Sequence, residues 1–298
     1  MKGNGMNQGR NALTQTEELV REPIVEGIFY PDAADTLEAR LDALLSRPSP
    51  ESPPPRPFAL IVPHATWDYV GDLLGAAFAH VLPWREHFRR VVLWGPTHRE
   101  PFPTLFLPGS TLFATPLGPL ALDLPATQEA LASSTAFAVD DLSHMEEHCL
   151  EVVFPFLRSI LPHAPILPVL VGAPLLTLAE TLARALYLIY ATEWEHTLFV
   201  VSTNLTPFAP RKDNARRAEE LIRTLLSTPS HTLLSRIRTQ HNPEKLLLLV
   251  WPLLMLAEAL EIPLSFHLLG RETSPPEDGH TVEYASFLVT GGNDHETH

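Results

Sequence analysis

Cysteine is all but missing: Cys149 stands alone in 298 residues. A single thiol excludes an intrachain disulfide and a cysteine-only metal site, and it suits a reducing cytoplasm. Basic residues are scarce as well. Lys and Arg total 21 against 35 Asp and Glu, a net charge of −14. A surface that acidic repels phosphate backbones, so nucleic acid is not an expected partner. The one notable basic cluster, "APRKDNARRAE" (Ala209 to Glu219), has the spacing of a solvated helix start. The opening "MKGNGMNQGRNALTQTEELV" lacks an apolar stretch of signal-peptide length, so no secretion signal is expected. No long apolar run is unbroken either. Pro252 interrupts the longest, Leu246 to Leu264, and Glu258 and Glu261 punctuate it, which reads as a buried helix and not a membrane span.

What remains is apolar enough to fold: 45% of the residues are hydrophobic, sufficient for a sizeable core. Residues 1–21 are polar and read as a flexible lead-in, and 291–298 as a polar tail. Between them, 22–290 reads as one domain. "TLEARLDALLSR" has leucines at helical spacing, and the proline-rich "PSPESPPPRP" follows as a stiff loop. Continuous apolar runs end at Val62, at Trp94, in "APILPVLVG" and in "TLFVVSTNL". They alternate with helical patterns over about 71–81, from near His144 through "FPFLRSIL", and in "LLTLAETLARALYLIYAT", "ARRAEELIRTLLS" and "EKLLLLVWPLLMLAEAL". "PLSFHLLGRE" and "EYASFLVTG" close the chain as strands. This alternation predicts an α/β fold in three layers, with a mostly parallel or mixed central sheet between helices on both faces. Such sheets place ligands beyond the carboxyl ends of their strands.

Histidine is the residue type to follow. His64 comes just after the strand in "FALIVPHATWDYVG", and His98 just after the one in "VVLWGPTHREPF". Each follows a proline-containing bend at the exit of a buried strand. Either the two imidazoles cap separate turns, or they share one pocket, with His64 on the strand next to that of His98. Neutral imidazole binds iron, copper or zinc well. "DDLSHMEEHCLEVVFPFL" adds His144 and His148, which share a face if the segment is one helix, and Glu147 beside them. The order H-M-E-E-H differs from the zinc-protease H-E-x-x-H, because the glutamate follows the first histidine by three residues instead of one.

These segments in order resemble the Memo family. "GIFYPD", "LIVPHATWDYVG", "VVLWGPTH", "FATPLGPLALD", "HMEEHCLEVVFPFL", "ILPVLVG" and "TLFVVSTNL" match its F-Y-P, P-H-A-G-Y, G-P-S-H, T-P-L-G, E-H-S-L-E and S-S-D-F-S-H stretches across about residues 22–290. The resemblance implies a fold like that of class III extradiol dioxygenases, a cytoplasmic setting, and a cleft holding iron or copper for redox or oxygen-related chemistry. It implies His64 and His98 as metal ligands, with Glu147 and His148 as the catalytic pair. His144, Asn204 and Trp67 would line the same cleft. It also implies a small-molecule or peptide ligand, and in bacteria a radical SAM protein and its small companion as neighbours.

The chain departs from the family pattern in ways that bear on activity. The usual aspartate and histidine of S-S-D-F-S-H are Asn204 and Pro207, and the usual C-G-x-x-P cysteine falls on Leu248. A proline transfers no proton and a leucine binds no metal. His144, His148, Glu147 and His241 are the candidate substitutes. Three functions follow: a metal-dependent oxidoreductase, a degenerate member without metal that binds a ligand or partner, and a metal-assisted hydrolase with a glutamate base.

Overall fold

The computed structural model describes residues 19–46, 55–99 and 101–292. Eight strands form the main sheet: β1 (Pro57–Val62), β2 (Arg90–Pro96), β3 (Leu105–Leu107), β4 (Phe137–Val139), β5 (Ile166–Val171), β6 (Thr197–Ser202), β7 (Leu264–Thr273) and β8 (Glu283–Gly291). Their spatial order is β7-β8-β1-β6-β2-β5-β3-β4. The four central strands, β1, β6, β2 and β5, run parallel. Antiparallel pairings flank them, β8 on β1 and β3 on β5. The sheet is therefore mixed, with a parallel centre.

The apolar runs are continuous because both faces of the sheet are covered. Ala59 and Ile61 of β1 join one core while Leu60 and Val62 join the other. Val92 and Trp94 likewise alternate with Val91 and Leu93, and Phe199 and Val201 with Leu198 and Val200. Period-two alternation between two apolar layers is what a sheet sandwiched by helices requires. Each fully buried aliphatic or aromatic side chain contributes on the order of 1.5–3 kcal/mol.

One face carries α1 (Ala34–Leu45), α2 (Trp67–Ala79) and α5 (Phe154–Ile160). In α1, Leu37, Leu41 and Leu44 form the buried stripe. Gly75 of α2 lets the two helices touch, since a methyl there would lie 2.5 Å from the Leu44 carbonyl oxygen. The other face carries α6 (Leu176–Tyr190), α7 (Arg211–Ser227), α8 (Ser230–Thr239) and α9 (Lys245–Ala259). α9 is the long apolar run, with Pro252 inside a buried helix. Trp94 Nε1 donates to the Leu249 carbonyl at 2.9 Å and ties that helix to the sheet. Among the described residues no helix is long and apolar enough to cross a membrane.

Several expectations need correction. α2 begins at Trp67, ahead of the predicted start. Two helices were not picked out from the sequence, α3 (Leu124–Ser133) and α8. The segment from His144 is not one helix: a short helix, α4 (Asp141–Met145), ends in a turn, a 3-10 turn follows at Glu151–Val153, and α5 comes after it. Aspartate side chains organise that first turn, since Asp140 accepts from the amides of Leu142 and Ser143. The domain also includes residues before 22. Val20–Arg21 pairs with Leu112–Phe113, and Arg21 is buried in an ion pair with Glu151 at 2.7 Å. The rest of the lead-in, the proline-rich loop at 47–54 and the tail beyond 292 lie outside the described residues.

Candidate metal centre

Because the four central strands are parallel, their carboxyl ends meet at one edge of the sheet. His64 follows β1, His98 follows β2, and Asn204 follows β6. The strands of His64 and His98 are not neighbours, as expected from sequence; β6 lies between them. The intervening strand has its own part. Ser202, its last residue, lies 2.9 Å from Nδ1 of His64, and Asn204 Oδ1 accepts from the His64 amide at 3.0 Å.

Three imidazoles converge there. Ring centroids are 5.0 Å apart for His64 and His98, 4.8 Å for His98 and His148, and 5.9 Å for His64 and His148. Imidazoles bound to one ion through nitrogen at about 2.0–2.1 Å place their centroids about 4.5–5.5 Å apart. Two pairs fall in that range and the third is slightly wider. His98, Glu147 and His148 also have ligand atoms within 4.8 Å of one another.

Hydrogen bonds assign the ring nitrogens. The Ser202 hydroxyl donates to the Cys149 carbonyl at 2.6 Å, so it accepts from Nδ1–H of His64. Nε2 of His64 then carries the lone pair. Glu147 is buried and receives the His98 amide at 2.7 Å and the His98 Nδ1 at 2.9 Å. It also accepts the amides of His148 and Cys149, each at 3.0 Å, and lies 3.3 Å from Nδ1 of His148. A carboxylate holding Nδ1 fixes the tautomer that exposes Nε2 and raises its basicity.

Electrostatics point the same way. Burial, then the positive potential of His98, His148 and Lys245, push the pKa of His64 well below its usual range, so it stays neutral. Burial also lowers His148, with Glu147 opposing. Burial alone would raise the Glu147 pKa, yet the His98 hydrogen bond and charge and the backbone donors prevail and bring it down to about 2. Glu147 is thus an anion that orients imidazoles. Cys149 is fully buried beneath the site, and burial raises its pKa, so it is an inert thiol there. Gly95 makes room for it, since a methyl at that position would lie 2.9 Å from the Cys149 sulfur.

Beside the histidines is a cavity of about 260 Å³ lined by His64, His98, Asn204, Pro207 and Lys245 among others. Three residues expected at the cleft are elsewhere. His144 is buried against Phe113, with Nε2 3.1 Å from the Phe106 carbonyl, because the helix break after Met145 separates it from His148. Burial lowers its pKa to about 4. Trp67 is core, with its indole on the Val152 carbonyl at 3.0 Å and its ring against Phe156. Leu248 packs into the apolar core; the start of α9 meets the cavity instead through Glu244, Lys245 and Leu246. His241 is exposed and does not line the cavity. Ser202 and Lys245 were missed. "STN" at a strand end hinted at the first, but nothing local in "NPEKLLLL" marks the second.

Comparison with known proteins bears on the same segments. The family model described as Memo-like protein matches residues 21–245. A MEMO1 family protein of Thermotoga neapolitana is 31% identical over 208 residues, 67% of this chain and 74% of the relative. One from Aquifex aeolicus is 29% identical over 204 residues, 68% of this chain and 73% of the relative. Among solved structures, the uncharacterized protein JW3007 of Escherichia coli K12 aligns with a TM-score of 0.47 and 13% identity, covering 78% of this chain and 99% of that one.

Proposed function

This chain belongs to the Memo-like family, and on that premise we propose that it binds a first-row transition metal, iron or copper, through Nε2 of His64, His98 and His148. The carrying observation is the pair of Nδ1 contacts: Ser202 engages His64 and Glu147 engages His98, and both leave Nε2 available. Three imidazole nitrogen donors suit iron, copper or zinc, so the donor set fits the group the family implies. A bound ion would supply redox or Lewis-acid chemistry at the cavity wall.

The chain's own residues have separate tasks. Burial keeps His64 neutral, so it competes for metal and not for protons. Glu147 holds His98 and the turn that carries His148. Asn204, where the family has an aspartate, serves the His64 backbone instead of proton transfer. Pro207 contributes wall. Chemistry here would therefore depend on the ion and the ligand's own acidity.

The test is anaerobic titration of the full chain with ferrous and cuprous ions. One ion per chain is expected, with loss of binding in His98→Ala and a tenfold to hundredfold weakening in Glu147→Gln. If neither ion binds the intact chain, the metal reading fails. A second reading, a metal-free ligand-binding member, is favoured by Asn204 and Pro207, which remove proton-transfer groups from the cavity wall. It predicts ligand binding unaffected by chelator.

A further inference from the structure

The cavity beside the histidines has an unusual charge balance for so acidic a protein. Two carboxylates lie close to it, and both are engaged. Glu147 accepts from His98 and from three backbone amides, those of His98, His148 and Cys149. Glu244 is held by Arg217 through both its oxygens, each at 2.8 Å from Nη2. The threonines are occupied too: Thr203 Oγ1 donates to the Asn204 carbonyl, and Thr206 Oγ1 accepts the Glu283 amide. Lys245 is different. It lines the cavity, and among the described residues it forms no ion pair or hydrogen bond. The residue as a whole is exposed, but the cleft desolvates its ammonium enough to lower the pKa, with Cys149 and the Glu147 carboxylate opposing. A lysine that lines a cavity without a hydrogen-bonded or ion-pair partner is a place for an anion.

The rest of the wall is apolar: Pro96, Leu205, Pro207, Phe208, Leu246 and Val282. It is also fixed. The amides of Leu205 and Thr206 donate to the Glu283 carbonyl at 3.0 and 3.2 Å, and Phe208 stacks on His280 at 5.2 Å. Glu283 itself is buried and paired with Arg271 at 2.8 Å. A volume of about 260 Å³ is below that of a drug-sized pocket, which starts near 300 Å³. Pro207 is part of what makes the cavity apolar, so the substitution that removes an imidazole from the wall also selects for a hydrocarbon surface.

We propose that this cavity takes a small organic acid, with its carboxylate on Lys245 and its short apolar body against Leu205, Pro207 and Phe208. The inference deepens the reading of this cleft as the ligand site, and it places Lys245 as the residue that determines ligand class. A charge-assisted hydrogen bond from an ammonium separates a carboxylate from its neutral amide isostere by about 10- to 100-fold in affinity.

Isovalerate and isovaleramide are the probes, titrated calorimetrically into the full chain with and without ferrous ion. Isovalerate should bind and the amide should bind at least tenfold more weakly. Lys245→Gln should remove that preference, while Lys212→Gln, a control on exposed α7, should retain it. Lys245→Gln should also keep the circular dichroism spectrum and melting temperature of the unmodified chain, which shows that it folds. Equal binding of acid and amide, an unchanged preference in Lys245→Gln, or no binding of isovalerate up to its solubility overturns the proposal. Acid selectivity without metal uptake would overturn only the metal reading. Metal uptake without acid selectivity would overturn only this one.

Discussion

Within one short stretch the pairs His144/His148 and Glu147/Glu151 are each spaced four residues apart, and the fold sends the members of each pair to two regions with opposite character. Glu151 goes to an anchor under the N-terminal segment. It is fully buried, pairs with Arg21 at 2.7 Å, accepts the amides of Ile24 and Val25, and receives the Tyr30 hydroxyl at 3.1 Å. His144 lies beside that anchor, with its carbonyl on Arg21 Nε and its ring on the Phe106 carbonyl. Glu147 and His148 go to the strand ends, where three imidazoles retain a nitrogen with no protein partner among the described residues. Residue type does not separate the two regions. The unused groups do: at the anchor the buried atom left over is a donor, Arg21 Nη1, with the Glu151 carboxylate and the His144 ring engaged, whereas at the strand ends the atoms left over are imidazole nitrogens on three converging rings, which suits binding of an ion.

The comparison can be broken most sharply at the anchor. Glu151→Gln leaves the Arg21 guanidinium buried without its counter-charge, and loss of such a partner costs about 3–5 kcal/mol. Chemical denaturation should show that loss, with metal stoichiometry of the folded fraction unchanged. An equal loss in Glu147→Gln would erase the distinction.

Acid should expose the next difference. His144 is neutral when folded, with a pKa near 4 against about 6.5 when unfolded. A depressed value means that its contribution is fully present above about pH 6.5 and is lost as pH falls toward 4. The size is about 3 kcal/mol from the shift of roughly 2.5 units. Glu147, depressed to about 2, contributes above its unfolded value near 4.5 and loses that only as pH falls toward 2. Stability measured from pH 7 to 4 should therefore fall less steeply in His144→Gln. A slope identical to that of the unmodified chain would count against His144 as the group that titrates.

Metal affinity probes the cleft side. Glu147→Gln should weaken ferrous binding tenfold to a hundredfold, whereas Glu151→Gln should leave the affinity of folded protein unchanged. The smallest effect is expected at Ser202. Ser202→Ala removes the partner of His64 Nδ1, worth about 1 kcal/mol or roughly fivefold in affinity. An effect as large as that of His98→Ala would mean that Ser202 does more than select a tautomer.

Much of the sheet was legible because strand burial on two faces leaves an unbroken apolar signature, as in "FALIV" and "TLFVV". The helix of residues 124–133 was not, because it lacks a strong apolar stripe: its buried residues are Ala126, Thr127 and Ala130. His64 and His98 could be picked out by their position after strand ends. His144 and Trp67 could not be excluded, since sequence spacing says nothing about a helix that stops after Met145 or an indole turned into the core. Leu248 was placed by motif alignment, yet helix phase puts it in the core and brings Lys245 to the cavity.

By itself the sequence determined the layers, the family and which strands end in histidine, because those follow from local pattern and from short motifs in register. Tertiary structure decided which polar residues meet. Insertion of β6 between β1 and β2 brings Ser202 to His64, and a break of a few residues sends His144 and His148 apart. Those outcomes depend on strand order and on the packing of segments far apart in the chain, and no window of neighbouring residues contains that information.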